Sequence, residues 1–404
     1  MHRNLTPHFP QIKSPIMSHF LTIPAATVLL LFLITAASSS ADPSETAALR
    51  AFKSSVKPAS IPPSSCLATW NFSFDPCAAP RVTHFTCGVT CAAGRVVQLT
   101  LDSQGYSGTL TPLISQLSQL VTLDVGENDF HGPIPASIAS LPNLRNLILR
   151  VNSFSGALPA SIAAAKSLTT LDLARNSISG ALPDLSPLES LTRLDLSYNK
   201  LTGALPRLPP NLNELALKSN SLSGQLTKSS FSELTHLMVL ELAENSLSGA
   251  IPSWLFLLPS LQQIDLAKNG ITSVSVAAPN SNSELVAVDL SYNKLEGNLP
   301  EEFADYAALR SLALSYNKLR GPIPWQYSRK GSTLRRLYLD GNYLNGSPPQ
   351  GLFSGGGQVS GSLGDNCLRR CPAASELCLK SQKPASICQQ AYGGKPKPKP
   401  KPKS

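Results

Sequence analysis

Apolar and polar positions along Leu191–Pro206, LTRLDLSYNKLTGALP, follow the frame LxxLxLxxNxLxGxxP. The frame returns along most of the chain. Its asparagine position is filled by Asn128, Asn152, Asn176, Asn199, Asn220, Asn245, Asn269, Asn293, Asn317 and Asn342, at steps of 24, 24, 23, 21, 25, 24, 24, 24 and 25 residues. An earlier copy, VVQLTLDSQGYSGTL, carries Gln104 at that position. A fixed period of about 20–29 residues marks stacked units, none of which buries its apolar face alone. In each Leu-x-Leu segment alternate side chains point the same way, so Leu194 and Leu196 enter a core while Asp195 faces out. One short strand per unit, stacked at about 4.8 Å, makes a parallel sheet roughly 50 Å long. An asparagine amide donates and accepts, so a column of them satisfies backbone groups where the chain leaves each strand. Glycine recurs in the following turn, as at Gly203, where a Cβ would obstruct the chain.

The extension LxGxIP, at Gly132–Pro135, Gly249–Pro252 and Gly321–Pro324, resembles the plant-specific class of extracellular leucine-rich repeats. That class is found in receptor-like proteins, receptor-kinase ectodomains and polygalacturonase-inhibiting proteins. The resemblance covers about residues 42–392. It implies an α/β fold: a right-handed leucine-rich-repeat solenoid of about eleven repeats, with a parallel β-sheet on its concave face and disulfide-capped ends. Two units depart from the frame. The approach to Asn220, RLPPNLNELAL, is short, and the unit of Asn269 replaces its Gly-x-Ile-Pro tail with GITSVSVAAPNSNS.

Five segments follow. Residues 1–41 read as a secretory signal: Ala25–Ala37 is an apolar run of 13 residues, and Ser39-x-Ala41 offers a cleavage site. The run is short for a membrane span, which needs about 20 residues. Met17 offers an alternative start to Met1. Residues 42–94 form an N-terminal cap, opened by a helical pattern in ETAALRAFKSSV, with apolar Ala47, Ala48, Ala51, Phe52 and Val56. TWNFSFDPC and GVTC resemble the plant cap consensus, matched by Trp70, Cys77 and Cys91. The chain departs from it at Phe85-Thr86-Cys87 and in carrying the extra Cys66 and Cys87. Four cysteines allow three pairings, and the sequence does not choose. A zinc site lacks the paired Cys-x2-Cys spacing. Residues 95–349 are the array. Residues 350–392 are a C-terminal cap with Cys367, Cys371, Cys378 and Cys388, where SLGDNCLRRCP resembles the end cap of plant arrays. Four cysteines at each end and none between predict disulfide-stapled lids over the ends of the core. Residues 393–404 contain KPKPKPKPKS, which cannot pack and is expected to be extended and solvated.

Formal charge is +9. Arg3 and Lys13 belong to the signal segment and five lysines to the tail, so the folded part is only about +2. No nucleic-acid-reading motif occurs. The tail lysines suit an acidic cell-wall polysaccharide instead. Neither a Gly-x-Ser-x-Gly elbow nor a P-loop is present, and His84, His131 and His236 fall at unrelated frame positions. No kinase domain fits after residue 350, and no second apolar span follows the signal segment. The reading is therefore of a protein that is not an enzyme and uses no metal or cofactor.

A solenoid displays its outward strand positions side by side, and the concave face is the natural binding surface. One column reads Thr100, Asp124, Ile148, Asp172, Asp195, Ala216, Glu241, Asp265, Asp289, Ala313 and Tyr338. Its acids also suit a solvated ladder with local hydrogen bonds. Arg145, Arg150 and Arg175 surround Ile148 and Val151. Arg310, Arg335 and Arg336 are expected near Tyr292, Tyr316 and Tyr338. Arginine and tyrosine are over-represented in binding hot spots, which makes both groups candidates. Asn71 and Asn345 open Asn-x-Ser sequons, so both are candidate glycosylation sites. The resemblance implies a secreted receptor-like recognition protein of the apoplast or cell wall, held at the plasma membrane through a partner. It would bind a peptide or a receptor-kinase ectodomain in signalling or defence. Alternatives are an inhibitor of wall-degrading enzymes of the polygalacturonase-inhibiting type and a structural wall protein.

Overall fold

The computed structural model describes residues 42–73, 75–77, 88–329, 332–354 and 359–393. The signal segment, His84, Cys87 and the Lys-Pro tail lie outside the described residues. A 13-stranded sheet runs from Gly88–Ala92 to Ser360–Ser362. Gly88–Ala92 pairs antiparallel with Arg95–Thr100, and every later pair is parallel. Its register places Thr100 beside Asp124, Ile148, Asp172, Asp195, Ala216, Glu241, Asp265, Asp289, Ala313 and Tyr338 in turn. This is the column read from the frame.

The core follows from the alternation. Leu191, Leu194, Leu196 and Leu201 are all fully buried, as are their counterparts along the array. The asparagine column works as its chemistry requires. Asn317 Nδ2 donates to the carbonyls of Leu290, Leu314 and Ser315, while its Oδ1 accepts from Leu295 N at 3.0 Å. A second sheet of eight strands flanks the first, from Ser107–Gly108 to Gly270–Val274. It stops in the unit that lacks the Gly-x-Ile-Pro tail. A separate two-stranded pair, Glu296–Asn298 with Lys318–Arg320, follows it. Short 3-10 helices such as Ala136–Ser140 and Glu301–Asp305 return the chain to the next strand. The short unit between Asn199 and Asn220 has none, and Pro209-Pro210 occupies that place.

The N-terminal helix is Pro43–Ser54, capped by Asp42, whose side chain accepts from Ser44 N. Its buried face is Glu45, Ala48, Leu49 and Phe52, so of the expected stripe Ala51 is only half-buried and Ala47 is exposed. A fully buried carboxylate needs partners. Glu45 meets the Arg95 guanidinium at 2.8 Å and accepts from Val96 N at 2.9 Å, closing the open edge of the first repeat. Cys77 pairs with Cys91, and Cys66 is also disulfide-bonded. At the other end Cys367 pairs with Cys388 and Cys371 with Cys378, a nested pair.

The periodicity missed one coil. Ser360–Ser362 adds a strand, and the fully buried Asn366 extends the asparagine column by donating to the carbonyls of Leu339, Leu363 and Gly364. Gly361 stands where the frame has an apolar residue, because a Cβ there would collide with the Leu337 backbone. Repeat geometry therefore continues beyond residue 349, into the expected cap.

Candidate functional site

Four lines of variable side chains cross the main sheet. Two lie on the strands, the Gln98-to-Arg336 and Thr100-to-Tyr338 columns. Two lie just past the second leucine. The last of these holds a left-handed residue in most units, including Val151, Arg175, Tyr198, Lys268, Tyr292, Tyr316 and Gly341.

In the first half these side chains mostly engage one another. Arg150 pairs with Glu127 at 2.7 Å. The Arg175 guanidinium lies 4.3 Å from the Tyr198 ring centroid, a cation–π contact. Arg193 meets Glu214 at 3.3 Å. Arg145 is exposed just before the strand Asn146–Ile148. Asp124, Asp172 and Asp195 each accept from the amide two residues on.

The second half differs. The rings of Tyr292 and Tyr316 stack at 4.5 Å. Gly341 makes room for them, since a Cβ there would stand 2.6 Å from a Tyr316 ring carbon. Lys380 reaches back from the C-terminal cap. Its ammonium is 2.8 Å from Asp340 and 5.8 Å from the Tyr316 centroid. Gly364 lets it pass, because any Cβ there would collide with Lys380. Asp340 is almost fully buried and also accepts from the Ser315 hydroxyl at 2.6 Å. Glu244 takes the Ser219 hydroxyl and the Lys268 ammonium.

Between these groups lies a cavity of about 610 Å³, lined by Tyr292, Tyr316, Tyr338, Asp265, Asp289 and Lys380 among others. A second, of about 350 Å³, shares Asp265, Asp289 and Tyr338 and adds Glu241 and Arg336. Ala313, between Asp289 and Tyr338 in the register, leaves the space that both use.

The floor is a row of carboxylates, Glu241, Asp265 and Asp289, on successive strands. Asp265 and Asp289 accept from Ala267 N and Ser291 N. Among the described residues the Glu241 carboxylate accepts no hydrogen bond and none of the three carboxylates forms an ion pair, though the Lys218 charge acts on Glu241 and Asp265. Burial pushes the Glu241 carboxyl above its ordinary range, and the Asp265 charge adds to this. Burial raises Asp265 as well, opposed by the Ala267 amide and reinforced by Asp289.

Of the expected residues, the structure gathers Tyr292, Tyr316, Arg336 and Tyr338. It does not gather Arg310 and Arg335 with them. Those two sit before their strands, where Arg335 N donates to Arg310 O, while Tyr316 lies past the strand Ser311–Ala313 at its far end. A strand rises about 3.3 Å per residue, so neighbours in sequence stand apart here. Lys380, Asp340 and the missing partner of Glu241 escaped the sequence reading. The aperiodic cap gives no register for Lys380, and only Gly341 and Gly364 hinted at crowding.

The leucine rich repeat family model matches residues 142–201, 210–271, 259–319 and 333–354. These matches and the stacked parallel strands show a leucine-rich-repeat fold. Its curated relatives include Receptor-like protein 7 of Arabidopsis thaliana, 31% identical over 146 residues, which are 35% of this chain and 14% of that one. Among solved structures, the repeat array is similar to PEPR1 bound to AtPEP1, at 30% identity and a TM-score of 0.70, over 80% of this chain and 45% of that one. It is also similar to the plant peptide hormone receptor RGFR1 in complex with RGF2, at 34% identity and a TM-score of 0.63, over 67% and 43%. The chain thus spans less than half of each receptor chain. Its solved neighbours include the leucine-rich-repeat ectodomain of a plant membrane receptor kinase and, at 20% identity and a TM-score of 0.58 over 86% of this chain and 99% of that one, a plant ice-binding protein. Among the described residues no helix is long and apolar enough to cross a membrane, and no cluster of three His, Cys, Asp or Glu could hold a metal ion.

Proposed function

We propose that this repeat array is a non-enzymatic extracellular recognition module that binds a peptide or a partner ectodomain through the second half of its concave face. The carrying observation is the pair of cavities there, which share Asp265, Asp289 and Tyr338 and are walled by three exposed tyrosines and floored by carboxylates outside any ion pair among the described residues. Exposed tyrosines beside an arginine, here Tyr338 and Arg336, are typical of binding hot spots. One solved neighbour is a plant peptide hormone receptor in complex with RGF2, which supports a peptide as occupant. The Lys-Pro tail is proposed, from its sequence alone, as a separate electrostatic tether to acidic wall polysaccharide, and the sequons at Asn71 and Asn345 as glycan sites.

The test uses the secreted full chain as bait in plant tissue extract, beside Tyr316→Ala/Arg336→Glu and Arg150→Ala/Arg175→Ala variants. Partners retained by the wild type and the second variant but lost from the first are expected. Partners that depend on Arg150 and Arg175 instead would move the site to the first half.

A further inference from the structure

The C-terminal cap seals the core with Leu363, Leu368 and Leu377, yet its last helix, Ala385–Ala391, buries no side chain. Two tethers hold that helix. One is the Cys367–Cys388 disulfide. The other is Tyr392, just past its end. The Tyr392 hydroxyl donates to Tyr343 O at 2.6 Å and accepts from Gly321 N at 3.0 Å. Between the helix and the last repeats lies a cavity of about 720 Å³. That volume falls among ligand sites, which run about 300–1,000 Å³. Arg369, Gln382, Lys383, Gln389 and the Tyr392 ring face it. A helix without a buried face, standing over a polar gap, lacks the packing that normally fixes such an element.

Asn345 stands at the edge of this gap. It opens the sequon Asn345-Gly346-Ser347. The frame asparagines have their amides engaged by backbone groups. Asn345 differs: only its backbone is tied, through Asn345 N to Gly321 O, and its side-chain amide makes no hydrogen bond. The other Asn-x-Ser asparagine, Asn71, differs again. Its Oδ1 already accepts from Ser73 N, and it lies exposed, away from any cavity described above.

We propose that Asn345 carries an N-linked glycan whose first sugars lie in this cavity and brace the cap helix against the last repeats. In the reaction Nδ2 of Asn345 forms a bond to the anomeric carbon of a lipid-linked oligosaccharyl diphosphate. The carbon–oxygen bond to the diphosphate breaks, the lipid diphosphate leaves with the electron pair, and the amide nitrogen releases one proton. The disulfides fit the secretory compartment where that donor is found. Sugar hydroxyls and acetamido groups find donors and acceptors in Arg369 and Gln389, and a sugar's apolar face matches the Tyr392 ring. The inference uses no residue of the concave cavities and stands apart from the recognition reading.

The full chain, secreted from plant cells, gives the test. Glycopeptide mass analysis should find Asn345 occupied. Hydrogen exchange in Ala385–Ala391 should be about tenfold faster in Ser347→Ala than in wild type, because local opening sets that rate. Ser73→Ala, which removes the Asn71 sequon, should leave it unchanged. Should Ser347→Ala fail to be secreted, wild-type chain made under a glycosylation inhibitor supplies the same comparison without a substitution. An unmodified Asn345 overturns the proposal. So does equal exchange of the helix with and without the glycan.

Discussion

The two halves of the concave face share one frame and differ in what the variable positions do. In the first half Arg150 finds Glu127, Arg175 finds Tyr198 and Arg193 finds Glu214. In the second half Glu241, Asp265 and Asp289 stand in a row outside any ion pair among the described residues, beside three tyrosines that remain exposed. Leucines and asparagines repeat alike through both. The fold therefore lives in the frame, and specificity lives in the residues the frame leaves free.

The largest effect should show that the halves are equal as scaffold. Leu194→Ala and Leu312→Ala each remove a fully buried side chain between coils. Both should cost about 2–5 kcal/mol by denaturant unfolding. A melt unchanged by either substitution would contradict the register. Next in size is a split between neighbours. Arg336 lines the smaller of the two cavities and Arg335 lines neither. Arg336→Glu should weaken binding of a captured partner by about tenfold or more in titration calorimetry, as hot-spot losses do. Arg335→Glu should change it little, and neither should lower stability by more than about 1 kcal/mol, since both are exposed. Equal losses of binding from both would blur the boundary drawn here.

A smaller effect concerns pH. Burial raises the Glu241 and Asp265 carboxyls above their ordinary 4.5 and 3.8. The folded chain then keeps protons that the unfolded chain has released. Across the window from the ordinary values up to the raised ones, stability from these groups falls as pH rises. The penalty is absent below the ordinary values and complete above the raised ones. Asp124 and Asp172, raised likewise by burial, share this sign in the first half. Glu244, lowered by its bonds from Lys268 and Ser219, has the opposite one. A Glu241→Gln/Asp265→Asn variant should therefore gain stability relative to wild type between about pH 4 and pH 7. A difference that stays flat across that window would show the two carboxyls to be solvated.

Most of the scaffold was legible because its cause is local and repeated. Leu194, Asn199 and Gly203 each report a position that every coil must fill in the same way. The candidate site was half legible. Tyr292, Tyr316, Arg336 and Tyr338 could be placed from the frame, because the frame supplies their register. Lys380 could not, since it comes from a cap without period. Arg310 and Arg335 stand apart from the tyrosines because neighbours in sequence separate along an extended strand. Asn366 was hidden by Gly361, whose missing side chain breaks the apolar pattern.

The central claim is that recognition belongs to the second half of the concave face. Hydroxyl-radical footprinting of the full chain, with and without a captured partner, tests it directly by comparing tyrosines on one molecule. Tyr292, Tyr316 and Tyr338, all partly exposed in the free chain, should be protected by the partner. Tyr198, equally exposed but stacked under Arg175 in the first half, should react as before. Protection of Tyr198 with the other three unchanged would contradict the account.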